Sequence, residues 1–164
     1  MKCTQCNNKS SLQARTINLK YKGCDLDNVT IHNVKMYRCD KCGEEYIQLN
    51  NEHKIHEGIA QLLLAKRDLL TGPEIRFLRT FLGYNIQIFA RLTGYDPATL
   101  SRIEHGKQSI TQPFNNYVRS LVAYKIPHCR RDLHELWIKN EGLPVKHIDL
   151  LPSGKVWATA IQAA

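Results

Sequence analysis

The sequence of 164 residues predicts an α+β fold, in which a small β-rich, metal-binding domain precedes an all-α domain. Two Cys-x-x-Cys pairs enclose a segment where apolar and polar residues alternate, as in half-buried strands. After residue 70 the spacing becomes helical, with repeated start and stop signals. We therefore expect a β-rich domain with a linker helix at 1–66, a helix-turn-helix domain at 70–126 and a C-terminal extension at 127–164.

The composition is that of a folded chain, with 43% hydrophobic residues. The longest apolar run, near Ile59–Ala65, is too short to cross a bilayer, and the first residues lack the apolar core of a signal peptide. We therefore expect a cytoplasmic protein with reduced thiols. The net charge is +8, and residues 66–126 carry nine Lys and Arg against four Asp and Glu. Such a basic segment favours an anionic polymer as partner.

The two cysteine pairs are Cys3 with Cys6 and Cys39 with Cys42. Each pair can place two thiolates on one ion, and together they complete a tetrahedral shell with no position open for water. The sequence therefore predicts one structural Zn²⁺ per chain, although iron in a rubredoxin-like site has the same ligands. Disulfides or free thiols are the other interpretation, which the absence of an export signal disfavours.

Between the cysteine pairs, the alternating pattern predicts strands at Leu12–Lys22 and Val29–Tyr37, with Tyr46-Ile47 adding another. So small a sheet buries little apolar surface, and metal binding should supply on the order of 10 kcal/mol toward its folding. Cys24 lies in a predicted turn and is expected to be a bystander thiol, because tetrahedral zinc has no fifth position.

A linker helix is predicted from about Glu52 to Lys66, capped by Asn50 or Asn51. His53 and His56 lie one turn apart, a spacing that could hold a metal, but we expect both to be solvated on its polar face. Its apolar face is expected to comprise Ile55, Ile59, Leu62 and Leu63. The segment Leu70-Thr-Gly-Pro73 that follows is predicted to be a hinge between the two domains.

The second domain should begin with a helix at Pro73 that ends at Gly83. Its core residues are predicted to be Ile75, Leu78 and Leu82. A last helix should run from Gln112 to about Tyr124. Its inward residues are predicted to be Tyr117, Val118, Leu121 and Val122.

Between those helices, Asn85–Lys107 predicts two short helices joined by a tight turn. Asn85 caps the first helix, Gly94 ends it, and Asp96-Pro97 opens the second. The apolar stripe of the first helix is predicted to be Phe89, Ala90 and Leu92. The second helix should bury Leu100 and Ile103 and present Ala98, Ser101, Arg102 and His105. This is the pattern of a helix-turn-helix, whose second helix lies in the DNA major groove.

The remaining residues are less regular. Arg130–Lys139 has helical spacing, and Pro152-Ser-Gly154 suggests a β-hairpin between His147–Leu151 and Lys155–Ile161. His128, Cys129 and His134 match the spacing of no common zinc site, and we do not expect them to bind metal.

The cysteine pairs, the β-rich spacer, the linker helix and the stretch LTGPEIRFLRTFL…LSRIEHGK together resemble the MqsA-type antitoxins. These are also described as YgiT-type zinc-finger proteins with an Xre/Cro-type helix-turn-helix domain. The resemblance covers roughly residues 1–125. It implies a homodimer that binds a palindromic operator and represses its own operon. It also implies that the zinc domain binds and neutralises a ribonuclease toxin.

The resemblance also assigns roles to residues of the helix pair. Arg102 matches the arginine that family members direct at base edges, where its two-pronged guanidinium suits guanine O6 and N7. Ala98 stands where the founding member has asparagine, and Ile86 stands where a phosphate-binding glutamine is common, with Gln87 one place later. The residues expected to contact DNA are Gln87, Ala98, Thr99, Ser101, Arg102, His105 and Lys107.

Arg79 and Glu104 occupy positions where Xre-type domains often keep a largely buried ion pair. Removing one partner of such a pair would cost roughly 3–5 kcal/mol.

The alternatives to this function are a stand-alone regulator and a thiol oxidoreductase. A stand-alone or phage-type transcriptional regulator with a structural zinc module would share every DNA-facing residue. A thiol oxidoreductase would need a free Cys-x-x-Cys pair at a helix N-terminus in a βαβ setting, which neither pair has. No paired carboxylates, nucleophile-base grouping or Gly-rich phosphate loop stand out, so the sequence predicts a non-enzyme.

Overall fold

A computed structural model describes residues 3–6, 12–126 and 145–155. An N-terminal sheet is followed by five helices among these residues, which confirms the predicted α+β class. In chain order the elements are β1 (Leu12–Lys20), β2 (Val29–Cys39), β3 (Glu45–Gln48), α1 (Glu52–Ala65), α2 (Gly72–Leu82), α3 (Ile86–Thr93), α4 (Pro97–Glu104), α5 (Gln112–Lys125) and β4 (Ile148–Leu150). No helix in the described part of the chain is long and apolar enough to span a membrane.

The three predicted N-terminal strands are confirmed. β1 pairs antiparallel with β2 from Leu12 opposite Cys39 to Lys20 opposite Thr30, with an irregularity between Ile17 and Leu19. β3 pairs antiparallel with the second half of β2. β2 runs two residues beyond the predicted end, because the ladder with β1 continues to Cys39.

The fourth strand comes from the far end of the chain. β4 lies parallel to the start of β2, with Val29 opposite Ile148 and Ile31 opposite Leu150. Because β1 occupies one edge of β2, β3 and β4 share the other edge. The predicted turn at Pro152-Ser-Gly154 is present, since the Leu151 N–H donates to the Lys155 carbonyl at 2.7 Å.

Three predictions for the C-terminal extension concern residues outside those described. They are the second hairpin strand beyond Lys155, the helix at Arg130–Lys139 and the arrangement of His128, Cys129 and His134.

Most helix boundaries follow the predicted caps. α2 begins at Gly72, one residue before the predicted Pro73, and Thr71 and Glu74 form a capping box at this end. Gly83 ends the helix, with φ 85°. Asn85 Oδ1 accepts the Ile88 N–H at 2.8 Å, as predicted for a cap. At α1 the prediction is only partly right. Asn51 occupies the cap position, but its backbone is left-handed (φ 63°) and its side chain makes no cap hydrogen bond.

The buried apolar side chains form one continuous cluster from the sheet to the last helix. The predicted inward residues of α1 and α4 are all buried, as are Ile75, Leu78, Val118 and Val122. Ile148 and Leu150 of β4 are fully buried in the same cluster.

Some predicted core positions are wrong. Leu92 is 40% exposed, because it lies about 110° around α3 from the middle of the buried face, which Phe89 and Ala90 form. Tyr117 is 41% exposed. Leu82 and Leu121 are half-buried and pack against the core, which agrees with the prediction. α5 buries a face that includes Asn115 and Arg119, which rotates Tyr117 toward solvent. An apolar pattern cannot reveal a buried face that is partly polar.

The prediction that His56 is solvated is also corrected. His53 is exposed as expected, but the ring of His56 lies edge-to-face against Phe77 at 5.7 Å, and its Nε2 lies 2.9 Å from the Tyr21 hydroxyl. The predicted hinge is anchored at its first residue, because Leu70 is buried and its N–H donates to Asn115 Oδ1 at 3.0 Å.

Candidate metal centre and exposed helix pair

The four predicted ligand cysteines lie together at one end of the sheet. Cys3 and Cys6 flank a turn, Cys39 ends β2, and Cys42 lies in the turn that follows. That turn is closed by a hydrogen bond from the Gly43 N–H to the Cys39 carbonyl at 2.9 Å, with Gly43 at φ 74°.

The sulfur positions match a tetrahedral thiolate site. All four Sγ atoms lie within 4.8 Å of one another. Cys3 and Cys42 are 3.5 Å apart at sulfur, and Cys6 and Cys39 are 3.7 Å apart. Four thiolates at zinc–sulfur distances of about 2.3 Å would be about 3.8 Å apart. The cluster can therefore hold a metal ion with ligands from this chain alone.

Tyr46 belongs to this centre, although the sequence analysis did not identify it. Its hydroxyl lies 2.8 Å from Cys3 Sγ and accepts a hydrogen bond from the Thr4 hydroxyl at 3.2 Å. Donation from Tyr46 is the main reason that the pKa of Cys3 is lowered to about 6. This favours the thiolate, the form that binds metals. The only sequence signal was a tyrosine on the strand that follows the second cysteine pair.

The pKa of Cys42 is shifted in the opposite direction, upward. The Glu44 N–H acts to lower its pKa, but burial and the hydrogen bonds with the neighbouring thiols outweigh this and raise the pKa to about 12. Four thiolates this close together need a cation to offset their mutual repulsion.

Cys24 is not part of this group. It is buried in the turn between β1 and β2, and burial raises the pKa of its thiol. This position agrees with the prediction of a bystander thiol.

The helix pair α3–α4 presents most of its predicted contact residues on the surface. Gln87, Ala98, Arg102, His105 and Lys107 are exposed, whereas Thr99 and Ser101 are half-buried. The His105 ring folds back on its own helix, with Nδ1 2.7 Å from the Ser101 carbonyl oxygen.

Arg102 is linked to the cap of α4 by two successive side-chain hydrogen bonds, through Thr99 to Asp96. Its Nη2 donates to Thr99 Oγ1 at 3.0 Å. The Thr99 hydroxyl and N–H both donate to Asp96, and these bonds lower the pKa of that carboxyl group. The helix cap therefore also limits the directions that the Arg102 guanidinium can take.

The ion pair expected from the resemblance is confirmed. Arg79 Nε donates to Glu104 Oε1 at 2.6 Å, and Nη2 donates to Oε2 at 3.0 Å. Arg79 also donates to the Tyr84 carbonyl at 2.9 Å. Glu104 is 5% exposed. The pair fixes the end of α4 to α2 and to the turn before α3.

Comparison with protein families gives one match. The family described as the antitoxin component of a bacterial toxin-antitoxin system, MqsA, matches residues 1–124. Searches of curated proteins and of solved structures gave no match. The family match extends from the cysteine cluster to the last turn of α5, and it covers well over half of the chain. The chain therefore belongs to the MqsA family of bacterial antitoxins.

Proposed function

We propose that this antitoxin-family protein is a DNA-binding repressor of its own operon that neutralises a toxin through its metal-binding half. The observation that carries the proposal is the combination, in one chain of this family, of the four-cysteine cluster with the exposed helix α4. In this proposal, residues 1–66 would bind the toxin and residues 70–126 would bind the DNA.

DNA binding is assigned to α4 as the recognition helix of a helix-turn-helix. Leu100 and Ile103 anchor one face of α4 in the core, which leaves Ala98 and Arg102 exposed on the other. A helix held in this way can enter the major groove, where Arg102 would donate two hydrogen bonds to a guanine. Ala98 offers only a methyl group, which suits contact with a thymine methyl.

Other residues of the pair would bind the DNA backbone. Lys107 is exposed just after α4, where its charge can neutralise a phosphate. Gln87 is exposed in the first turn of α3. Thr99, Ser101 and His105 complete the proposed surface, with Thr99 acting on Arg102 rather than on a base.

The metal is proposed to be one structural Zn²⁺ per chain, held by Cys3, Cys6, Cys39 and Cys42. The sulfur separations and the purely thiolate ligands suit zinc, which prefers tetrahedral sulfur sites. Zinc would tie the N-terminal turn to the end of β2. Tyr46 would support the Cys3 thiolate by hydrogen bonding, as partners of ligand atoms do in many metal sites.

The family match supports a toxin as one partner. We propose a homodimer on a palindromic operator, because two copies of α4 would then read two half-sites about 34 Å apart. The toxin is proposed to be a ribonuclease that binds the sheet half. The protein would be a cytoplasmic, non-enzymatic regulator.

Co-expression with the neighbouring open reading frame tests this function. We expect the neighbouring product alone to arrest growth and degrade RNA, and we expect co-expression to restore growth and yield a complex that co-purifies. A harmless neighbour that never co-purifies, together with retained binding to the protein's own promoter, would favour the stand-alone regulator instead.

A footprint on the promoter of the operon tests the DNA-binding role. Protection of two related half-sites about one helical turn apart is expected. Protection of a single half-site would contradict the dimer, and no protection would contradict DNA binding.

A further inference from the structure

The segment at residues 145–155 lies beyond the family match, yet it is built into the sheet half. Ile148 and Leu150 are fully buried in the core. Polar contacts flank them on the β2 side. Asn28 Nδ2 donates to the Lys146 carbonyl at 3.0 Å, Thr30 Oγ1 lies 2.9 Å from His147 Nε2, and His32 Nε2 lies 2.6 Å from Asp149 Oδ1. β4 is therefore an integral strand of the sheet.

The turn after β4 packs directly against the backbone of α1. A Cβ atom added at Gly58 would lie 2.1 Å from the Gly154 carbonyl oxygen, and one added at Gly154 would lie 1.9 Å from the Lys54 carbonyl oxygen. Only glycine at both positions allows this backbone-to-backbone approach. The C-terminal segment thus touches the sheet on one side and α1 on the other.

α1 is in turn fastened to the helical half by Arg119 of α5. The last turn of α1 contains no basic residue of its own, and its final carbonyl groups need partners. Arg119 supplies a partner for one of them and binds the chain just after α1, because its guanidinium donates to the carbonyl oxygens of Leu64 at 2.8 Å, Asp68 at 2.7 Å and Lys66. Arg119 is 3% exposed, so a cation from another helix caps α1 in the protein interior.

A second buried contact holds the chain just after α1. Lys66 Nζ donates to both carboxylate oxygens of Glu74 at 2.9 and 3.0 Å, and both residues are buried. Glu74 also accepts the Thr71 N–H at 2.7 Å, while Asn115 accepts that of Leu70. We call Lys66, Glu74, Asn115 and Arg119 the linker clamp.

We propose that the C-terminal segment and the linker clamp join the metal-binding sheet and the helix pair into one rigid body. The segment 145–155 fixes the sheet to α1, and the clamp fixes α1 to α2 and α5. If the proposed function holds, a toxin bound to the sheet half is held at a fixed place relative to the recognition helix.

Residual dipolar couplings of the zinc-loaded, full-length protein, without DNA or toxin, test the rigid body directly. One alignment tensor should fit the amides of β1–β3 and of α2–α5. The Leu70 amide should exchange with solvent roughly a thousandfold or more slowly than a free-chain amide, because it is buried and hydrogen-bonded to Asn115. Two different tensors, or an unprotected Leu70 amide, would overturn the proposal.

Two matched pairs of variants test the connection between the sheet and α1 and the connection between α1 and the helical half. Gly154→Ala should separate the tensors, whereas Gly83→Ala should keep one tensor, because Gly83 has a similar positive φ with no atom near its added Cβ. Arg119→Lys removes the forked donor and should free α1, whereas Arg67→Lys changes an exposed arginine in the linker just after α1 and should not.

A single tensor in both Gly154→Ala and Arg119→Lys would refute these couplings. If a variant fails to fold, the alignment tensor and the Leu70 exchange rate of the wild-type protein still decide whether the two halves form one rigid body. Operator binding plays no part in these measurements. A rigid protein that binds no operator would refute the proposed function and leave the rigid body intact.

Discussion

Glu104, at the end of α4, accepts two hydrogen bonds from Arg79 of α2, at 2.6 and 3.0 Å. Glu104 is 5% exposed, so loss of Arg79 would leave its carboxylate unpaired in the interior. We expect Arg79→Met to lower the free energy of unfolding by roughly 3–5 kcal/mol. Chemical denaturation measures this. Arg15→Met, which breaks the exposed pair between Arg15 and Glu45, should cost less than about 1 kcal/mol. Equal losses for the two variants would contradict a structural role for the Arg79–Glu104 pair.

Metal content should depend on the four clustered cysteines and not on Cys24. The purified protein is expected to contain one zinc per chain by elemental analysis. Cys39→Ser should lose the metal and unfold the sheet half, because metal binding supplies much of its stability. Cys24→Ala is the control and should retain full zinc, since Cys24 lies outside the cluster. Metal-free wild-type protein with an intact sheet would show that the centre is dispensable for folding.

Arg102 should contribute directly to operator recognition. Replacing it with alanine is expected to weaken operator binding by about 1–3 kcal/mol and to relax the preference at one base pair in each half-site. Lys107→Ala should instead weaken binding to all sequences alike and reduce the salt dependence of binding by about one unit of slope. Titrations with operator variants at several salt concentrations separate the two effects. Unchanged affinity in Arg102→Ala would exclude α4 as the recognition helix.

Thr99 should act by positioning Arg102. Thr99→Val keeps the shape of the side chain but removes the oxygen that accepts from Arg102 Nη2 at 3.0 Å. We expect this variant to lose discrimination at the Arg102 base pair while keeping most of its nonspecific affinity. Thr99→Ser, which restores the hydroxyl, should recover the discrimination. Equal specificity in both variants would mean that the hydrogen bond does not guide Arg102.

His56 should make stability sensitive to mild acid. Burial lowers its pKa below the ordinary value of about 6.5, so the folded state prefers the neutral ring. The contribution of His56 to the free energy of unfolding is therefore fully present above pH 6.5. It is lost as pH falls through the lower pKa of the folded state, because the unfolded chain then binds more protons than the folded protein.

Imidazole chemical shifts measure this directly. The ring of His56 should titrate at lower pH in the folded protein than in the urea-unfolded chain, because burial lowers its pKa only in the folded state. Titration of this ring at the same pH in both states would disprove the effect of burial.

Much of the fold could be predicted from the sequence because its signals are local. The caps at Asn85 and Asp96 and the left-handed glycines at 83 and 94 are decided by neighbouring residues, and each lies where predicted. The cysteine pairs behave in the same way, since their spacing alone makes a shared site feasible. The apolar periodicity of α1 identified its buried face correctly for the same reason.

Two of the errors arise where polar groups are buried. Tyr117 was predicted to lie inward, because nothing in the sequence indicates that Asn115 and Arg119 occupy the buried face of α5. His56 was expected in solvent, because its partner Tyr21 lies in another element. Whether a polar side chain is buried depends on a partner that may be distant in sequence, and helical or strand periodicity carries no information about it.

The sequence alone thus determined the α+β class, the four clustered cysteines, the helix pair and the family, since each rests on short-range patterns of residues. Only the tertiary structure decided that β4 joins β2 across more than a hundred residues, and that Arg119 caps α1. It also decided that the segment predicted to be a hinge begins at a buried, hydrogen-bonded residue. These contacts join elements far apart in the chain, and they form only when the folded backbone brings their donors and acceptors together.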